Sequence, residues 1–330
     1  MRHAVWAAVF LGWVSAACGS DDGTSAAGGG GATGSGGASA GGAAGQSGAG
    51  GAGATASGGA AGTAMGGAAG SGGASSGGTS SGGTGAGGSS TLWQPKPGTT
   101  WQWQLSGSID TSVDAAMFDV DLFETNPSVI DALHAKGRVV VCYFSAGSRE
   151  DWRPDASAFA ASDYGKGLAG WPGENWLDVR SANVRTIMKK RLDLAVSKKC
   201  DGVEPDNVDG YANDSGFPLT EANQLDYNQF LAAEAHARKL SVGLKNALDL
   251  VPKLLSHFDW ALNEECLTYK ECNLLAPFIQ ANKAVFHVEY VDQSSQGAAK
   301  KSAVCGQSSI QGFSTLIKTW DLDAWRLTCP

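Results

Sequence analysis

DGVEPDNVDGY, residues 201–211, begins as a short β-type run and ends in a burst of acids and amides. Residues 202–206 read as one strand whose polar residues gather at its C-terminal end. The same figure recurs in both directions along the chain. Strands are predicted at 101–105, 117–123, 138–144, 202–206, 241–245, 260–264, 284–290 and 312–316. Helical patterns fall between them at 128–135, 184–197, 221–238 and 247–255. Alternation of strand and helix reads as a parallel sheet of the α/β class. Eight repeats in about 240 residues favour closure into a (β/α)8 barrel, typically about 250 residues, over an open doubly wound sheet. Thr220 or Asn223 can cap the helix at 221–238, and Asp249 can cap the short helix that carries Pro252 in its first turn.

Upstream of residue 92 the composition changes completely. Residues 1–17 carry Arg2 and His3, an apolar run over 4–14, and then Ser15, Ala16 and Ala17, which describes an export signal. The run is shorter than the roughly 20 residues a bilayer-spanning helix needs. Cys18 follows directly, as the acceptor cysteine of a bacterial lipoprotein signal would, although Ser15 stands where such signals prefer Leu. An ordinary signal cleaved near Ala17 is the competing reading. Residues 23–95 contain no charge and consist almost wholly of Gly, Ala, Ser and Thr, too little apolar surface to offset the entropy of ordering. Residues 18–91 are therefore expected to form a disordered tether, about 45 Å from end to end.

Cysteine parity agrees with lipidation. The chain has seven cysteines, and setting Cys18 aside leaves six that can pair in an exported protein. Cys266–Cys272 and Cys305–Cys329 are expected from proximity, with Cys142–Cys200 left by elimination. No CxxC pair occurs and the histidines beyond the signal lie far apart, so neither a structural zinc site nor a cofactor is expected.

The chemistry is expected where the strands end, because the C-terminal ends of barrel strands line the active site. Those ends carry Asp119, Asp121, Tyr143, Glu204, Asp206, Asp209, Lys245, Asn246, Glu264, Glu289 and Tyr290. Glycosidic cleavage requires two carboxyl groups, one to protonate the leaving oxygen and one to attack the sugar or activate water. No Gly-x-Ser-x-Gly elbow, P-loop or dinucleotide fingerprint competes. Acids that merely cap helices or stay hydrated are the structural alternative.

At these residues the chain resembles glycoside hydrolase family 114, the endo-α-1,4-polygalactosaminidases. The matching stretches are WQWQL (101–105), FDVDLF (118–123), VCYFSAG (141–147), WLDVR (176–180), DGVEPDNVDGY (201–211), GLKN (243–246) and NEEC (263–266). The resemblance implies a (β/α)8 barrel that hydrolyses α-1,4-linked galactosamine, in polymers such as galactosaminogalactan. The family's catalytic pair falls on Asp206, as nucleophile or charge stabiliser, and on Glu264, as general acid/base. Glu204 and Glu265 are the neighbours most easily confused with them. Adjacent strand residues face opposite ways, so Glu264 and Glu265 share the cleft only if the strand has already ended.

Substrate charge bears on the same question. Galactosamine lacking its acetyl group is a cation near neutral pH, and a mouth lined by Asp119, Asp121, Asp206, Asp209, Glu264 and Glu289 would attract it. The net charge of −8 points the same way and gives no reason to expect nucleic acid as a partner. Trp101, Trp103, Tyr143 and Tyr290 offer flat faces for sugar rings and ammonium groups, with barrel core as the alternative, especially for Trp103. Lys245 could pair with a cleft carboxylate and keep it ionised. The expected protein is an exported, monomeric enzyme on the cell envelope or outside the cell, meeting membrane only through its lipid. A glycan-binding surface lipoprotein without turnover, or a hydrolase of a different glycan, are the other readings.

Overall fold

The structure, a computed structural model, describes residues 92–330. The export signal, Cys18 and the tether lie outside the described residues. Twelve strands follow in chain order: β1 (Trp101–Gln104), β2 (Met117–Asp121), β3 (Val139–Ser145), β4 (Ser148–Glu150), β5 (Tyr164–Gly167), β6 (Glu174–Leu177), β7 (Gly202–Asp206), β8 (Ser241–Lys245), β9 (Trp260–Glu264), β10 (Val285–Val291), β11 (Ser314–Thr319) and β12 (Leu327–Thr328). The helices are α1 (Pro127–Ala135), α2 (Ala182–Ser197), α3 (Glu221–Ala237), α4 (Val251–Leu254), α5 (Cys266–Tyr269), α6 (Ala276–Gln280) and α7 (Gly297–Val304). Among the described residues no helix is long and apolar enough to cross a membrane.

Eight parallel strands, β1-β2-β3-β7-β8-β9-β10-β11, form the (β/α)8 barrel, and β12 runs antiparallel beside β11. The seam between β1 and β11 is closed by side chains and by residues 322–326. The Trp101 indole donates to the Ser314 carbonyl at 2.8 Å, Leu105 N donates to the Leu322 carbonyl at 2.9 Å, and Arg326 donates to the Trp101 carbonyl.

Two apolar cores separate by strand parity. Trp101, Trp103, Met117, Trp260, Leu262, Phe286 and Val288 fill the barrel interior. The intervening residues, such as Phe118, Val120, Val203 and Leu244, pack outward against the helices. Gly243 shows how tightly the interior is filled: a Cβ there would come within 2.2 Å of the Trp260 ring. Helix starts are set locally. Thr220 and Asn223 form a capping box on α3, Ser181 caps α2, and Asn126 followed by Pro127 opens α1.

All eight predicted strands are present, the last displaced to Ser314–Thr319 because Gly312 is in the left-handed region at φ +85. The helix expected over 247–255 begins late. Asn246 and Ala247 leave β8 in left-handed conformation, a 3-10 turn follows over Leu248–Leu250, and Asp249 caps nothing. A small antiparallel sheet, β4-β6-β5, was not foreseen. Its strands are three or four residues long and partly exposed, so they carry little alternation to read. The disulfides are Cys142–Cys200, Cys266–Cys272 and Cys305–Cys329, as expected.

Candidate active site

Inward parity at the strand ends brings Asp206, Lys245, Glu264 and Tyr290 together. Lys245, at the end of β8, is the centre. It is buried, and its Nζ lies 2.7 Å from Glu204 Oε1, 3.2 Å from Asp206 Oδ1 and 3.4 Å from Glu264 Oε2. The ammonium also sits over the Trp103 ring, 4.8 Å from its centroid. Burial works against the charge, but the carboxylates of Asp206, Glu204 and Glu264 outweigh it and raise the Lys245 pKa well above its ordinary value. Lys245 is a fixed cation.

Asp206 and Glu264 are the two carboxylates of this group that solvent reaches, with side chains 17% and 18% exposed, whereas Glu204 beneath them is sealed. Each receives a phenol. Tyr143 donates to Asp206 Oδ2 at 3.2 Å, and Tyr290 donates to Glu264 Oε1 at 2.5 Å. Burial first, and then the neighbouring carboxylate, raises both phenols well above their usual range, so both stay donors. Asn246 fixes Glu264 from two sides. Its Nδ2 donates to Glu264 Oε2 at 3.1 Å, and its Oδ1 accepts from Glu264 N at 3.0 Å. The left-handed Asn246 backbone turns the side chain back over the strand end. Asp209, half-buried in the loop after β7, is pushed up to about 6 by burial and by the charge of Asp206.

Five sequence-derived assignments are corrected, among them Glu204, which was expected to meet substrate and is sealed beneath the cleft carboxylates. Trp101 lies in the barrel interior at the N-terminal end of β1, 1% exposed, and cannot meet a sugar. Asp121 is consumed structurally. It accepts from Phe123 N and Glu124 N, and Arg153 grips both its oxygens at 3.0 and 2.7 Å. Asp119 is wholly buried, below the reach of substrate. Glu289 points out of the barrel, because Tyr290 beside it points in. Its carboxylate accepts from Leu267 N and Thr268 Oγ1 and pairs with Lys300 at 2.8 Å, beside an outer cavity of about 500 Å³. Burial opposes its charge, but His287 and Lys300 hold Glu289 down at about 2.

Glu265 follows Glu264 in left-handed conformation, so the strand has ended there. Burial first, and then the charge of Glu289, push it to about 7. Cys266, Cys272 and His287 approach within 4.8 Å, but both sulfurs are held in a disulfide and are not thiolate ligands.

Sequence reasoning missed Trp320. It stands just past β11, stacks on Tyr290 at 4.0 Å with an interplanar angle of 16°, and remains 47% exposed. Its signal was faint, a lone aromatic four residues beyond the strand predicted at 312–316.

Two solvent-reached carboxylates braced around one buried cation at the C-terminal mouth of a (β/α)8 barrel meet the two-carboxylate requirement of a glycoside hydrolase. No curated protein matches the chain in sequence. The chain belongs to glycoside-hydrolase family GH114, whose sequence profile matches residues 83–330. Among solved structures it is similar to Ega3 of Aspergillus fumigatus, crystallised with galactosamine. The two are 48% identical over 73% of this chain and 99% of that one, with a TM-score of 0.70. The glycoside hydrolase domain of PelA from Pseudomonas aeruginosa shares the fold at 11% identity, covering 70% of this chain and 98% of that one, with a TM-score of 0.57.

Proposed function

We propose that this glycosidase cleaves α-1,4-linked galactosamine polymers through Asp206 and Glu264. The observation that carries the reading is that one buried ammonium, Lys245, holds an oxygen of each at 3.2 and 3.4 Å while both remain open to solvent. Asp206 attacks the anomeric carbon as Glu264 gives its proton to the departing glycosidic oxygen. Water, deprotonated by Glu264, then releases the sugar from Asp206. The spacing supports retention of configuration. The two oxygens held by Lys245 are no more than about 6.6 Å apart, a bound that takes in the retaining arrangement of about 5–5.5 Å and touches only the lower edge of the inverting range of about 6.5–9.5 Å.

Substrate charge fits the same pocket. Asp206 and Glu264 reach solvent there, and Trp320, stacked on the Tyr290 ring whose hydroxyl donates to Glu264, adds an exposed aromatic surface on which a sugar ring or its ammonium can stack. Similarity to a protein solved with galactosamine points to the same sugar. Residues 1–17 and Cys18 are proposed to export and lipidate the chain, with 18–91 as the tether that holds the catalytic domain, 92–330, off the membrane. The test is release of reducing ends from deacetylated polygalactosamine by the parent, Asp206→Asn and Glu264→Gln. Activity near the parent in either variant removes that residue from the reacting pair.

A further inference from the structure

Beneath the cleft lies a second acidic pair that the reaction does not use. Asp119 and Glu204 are both completely buried. Neither oxygen of Asp119 accepts a hydrogen bond from any donor among the described residues, and Glu204 Oε2 is equally bare. The two carboxyl groups nevertheless lie within hydrogen-bonding reach of one another. Two ionised carboxylates are acceptors only and cannot bond to each other. Buried side by side, they cannot both be charged. One proton between them joins the pair and serves otherwise unpaired oxygens. The charged groups facing Asp119 are Glu204 and Asp206 from β7 and Lys245 from β8. Glu204 spends its other oxygen on Lys245, at 2.7 Å.

We infer that Asp119 is a neutral buried acid that donates its proton to Glu204, and that through Glu204 it holds Lys245 between Asp206 and Glu264. Asp119 is thus a positioning residue. Burial raises both acids, and the Lys245 ammonium, donating to Glu204 at 2.7 Å, favours the charge on Glu204 and so leaves the proton on Asp119, whose oxygens meet no donor. Without that donor Glu204 takes up a proton of its own and ceases to balance Lys245. The ammonium is then compensated only by the cleft carboxylates and favours their ionised forms. The group that must donate a proton loses it at lower pH.

The test compares Asp119→Leu and Asp119→Asn with the parent in the full chain. Asp119→Leu removes the donor, and kcat is expected to fall about tenfold with KM nearly unchanged. The alkaline limb of the kcat profile should move to lower pH. Asp119→Asn supplies an amide N–H to Glu204 and should recover most of the rate and restore the limb. Parent kcat and limb position in Asp119→Leu, or an Asp119→Asn variant as impaired as Asp119→Leu, overturns the inference. Infrared spectra of parent and Asp119→Asn at pH 8 provide a readout independent of folding losses in the leucine variant and of the substrate. The parent should show a carboxylic-acid C=O stretch that Asp119→Asn lacks, and identical spectra would refute a protonated Asp119. The kinetic arm rests on the proposed roles of Asp206 and Glu264. If the parent does not cleave polygalactosamine, that reading fails separately, and the infrared band still decides the state of Asp119.

Discussion

Lys245→Met removes the cation on which the site converges and keeps an unbranched apolar stem against Trp103. Three carboxylates then lose a partner, but their losses differ. Asp206 and Glu264 reach solvent and recover hydration, whereas Glu204 is sealed and its Oε1 loses its 2.7 Å donor. Breaking one side of a buried pair costs about 3–5 kcal/mol, a large share of a total stability of about 5–15 kcal/mol. For a domain of this size that is about 10 °C in Tm. The loss should depend on pH with a definite sign. Lys245, its pKa raised in the fold, stays charged at both pH 5 and pH 8, whereas Glu204, pushed up to about 7 by burial, carries its charge mainly at pH 8, where the parent pair is fully ionic. In the variant, Glu204 can escape by taking a proton, easily at pH 5 and poorly at pH 8. Thermal unfolding followed by circular dichroism at the two pH values is the assay. The second substitution Glu204→Gln, made in the Lys245→Met background, should restore part of the loss at pH 8, because it removes the stranded charge. A Tm change below about 2 °C at pH 8, or a larger loss at pH 5 than at pH 8, would refute the reasoning.

Trp320→Ala should raise KM for galactosamine oligomers about tenfold with kcat little changed, since an exposed face is lost and no reacting atom moves; Trp320→Phe should fall between, and an unaltered KM in the alanine variant removes Trp320 from the binding surface. Glu174, Glu204 and Glu265, pushed to about 7, and Asp209, pushed to about 6, all by burial first, bind more protons folded than unfolded between their ordinary values and these. Stability should accordingly fall as pH rises through 5 to 7, and Tm should be higher at pH 5 than at pH 8; a Tm that climbs over that interval contradicts the assignment. Glu289, held at about 2, acts in a separate window, adding stability above the ordinary glutamate value that is lost as pH falls towards 2. Proton NMR of the first product from an α-linked oligomer should show the α anomer, and initial β anomer would replace the double-displacement route with direct attack by water.

Much of this protein is legible along the chain. Each barrel strand announces itself by a short apolar run and a polar exit, and Asp206, Lys245 and Glu264 each stand at the end of one. Period two fixes that Glu289 and Tyr290 face opposite ways. It does not say which of them looks into the barrel, because that parity depends on the register of β10 against β9 and β11, set by packing of the whole ring. Asp121 looked as available as Asp206 until Arg153, more than thirty residues later, folded back across β4 to take both its oxygens. Trp320 gained its place only when the end of β11 came beside Tyr290. Local spacing determines which residues can reach a strand end and on which alternate side. Long-range closure of the barrel decides which side is inside, and which distant charge arrives to leave an acid free or to occupy it.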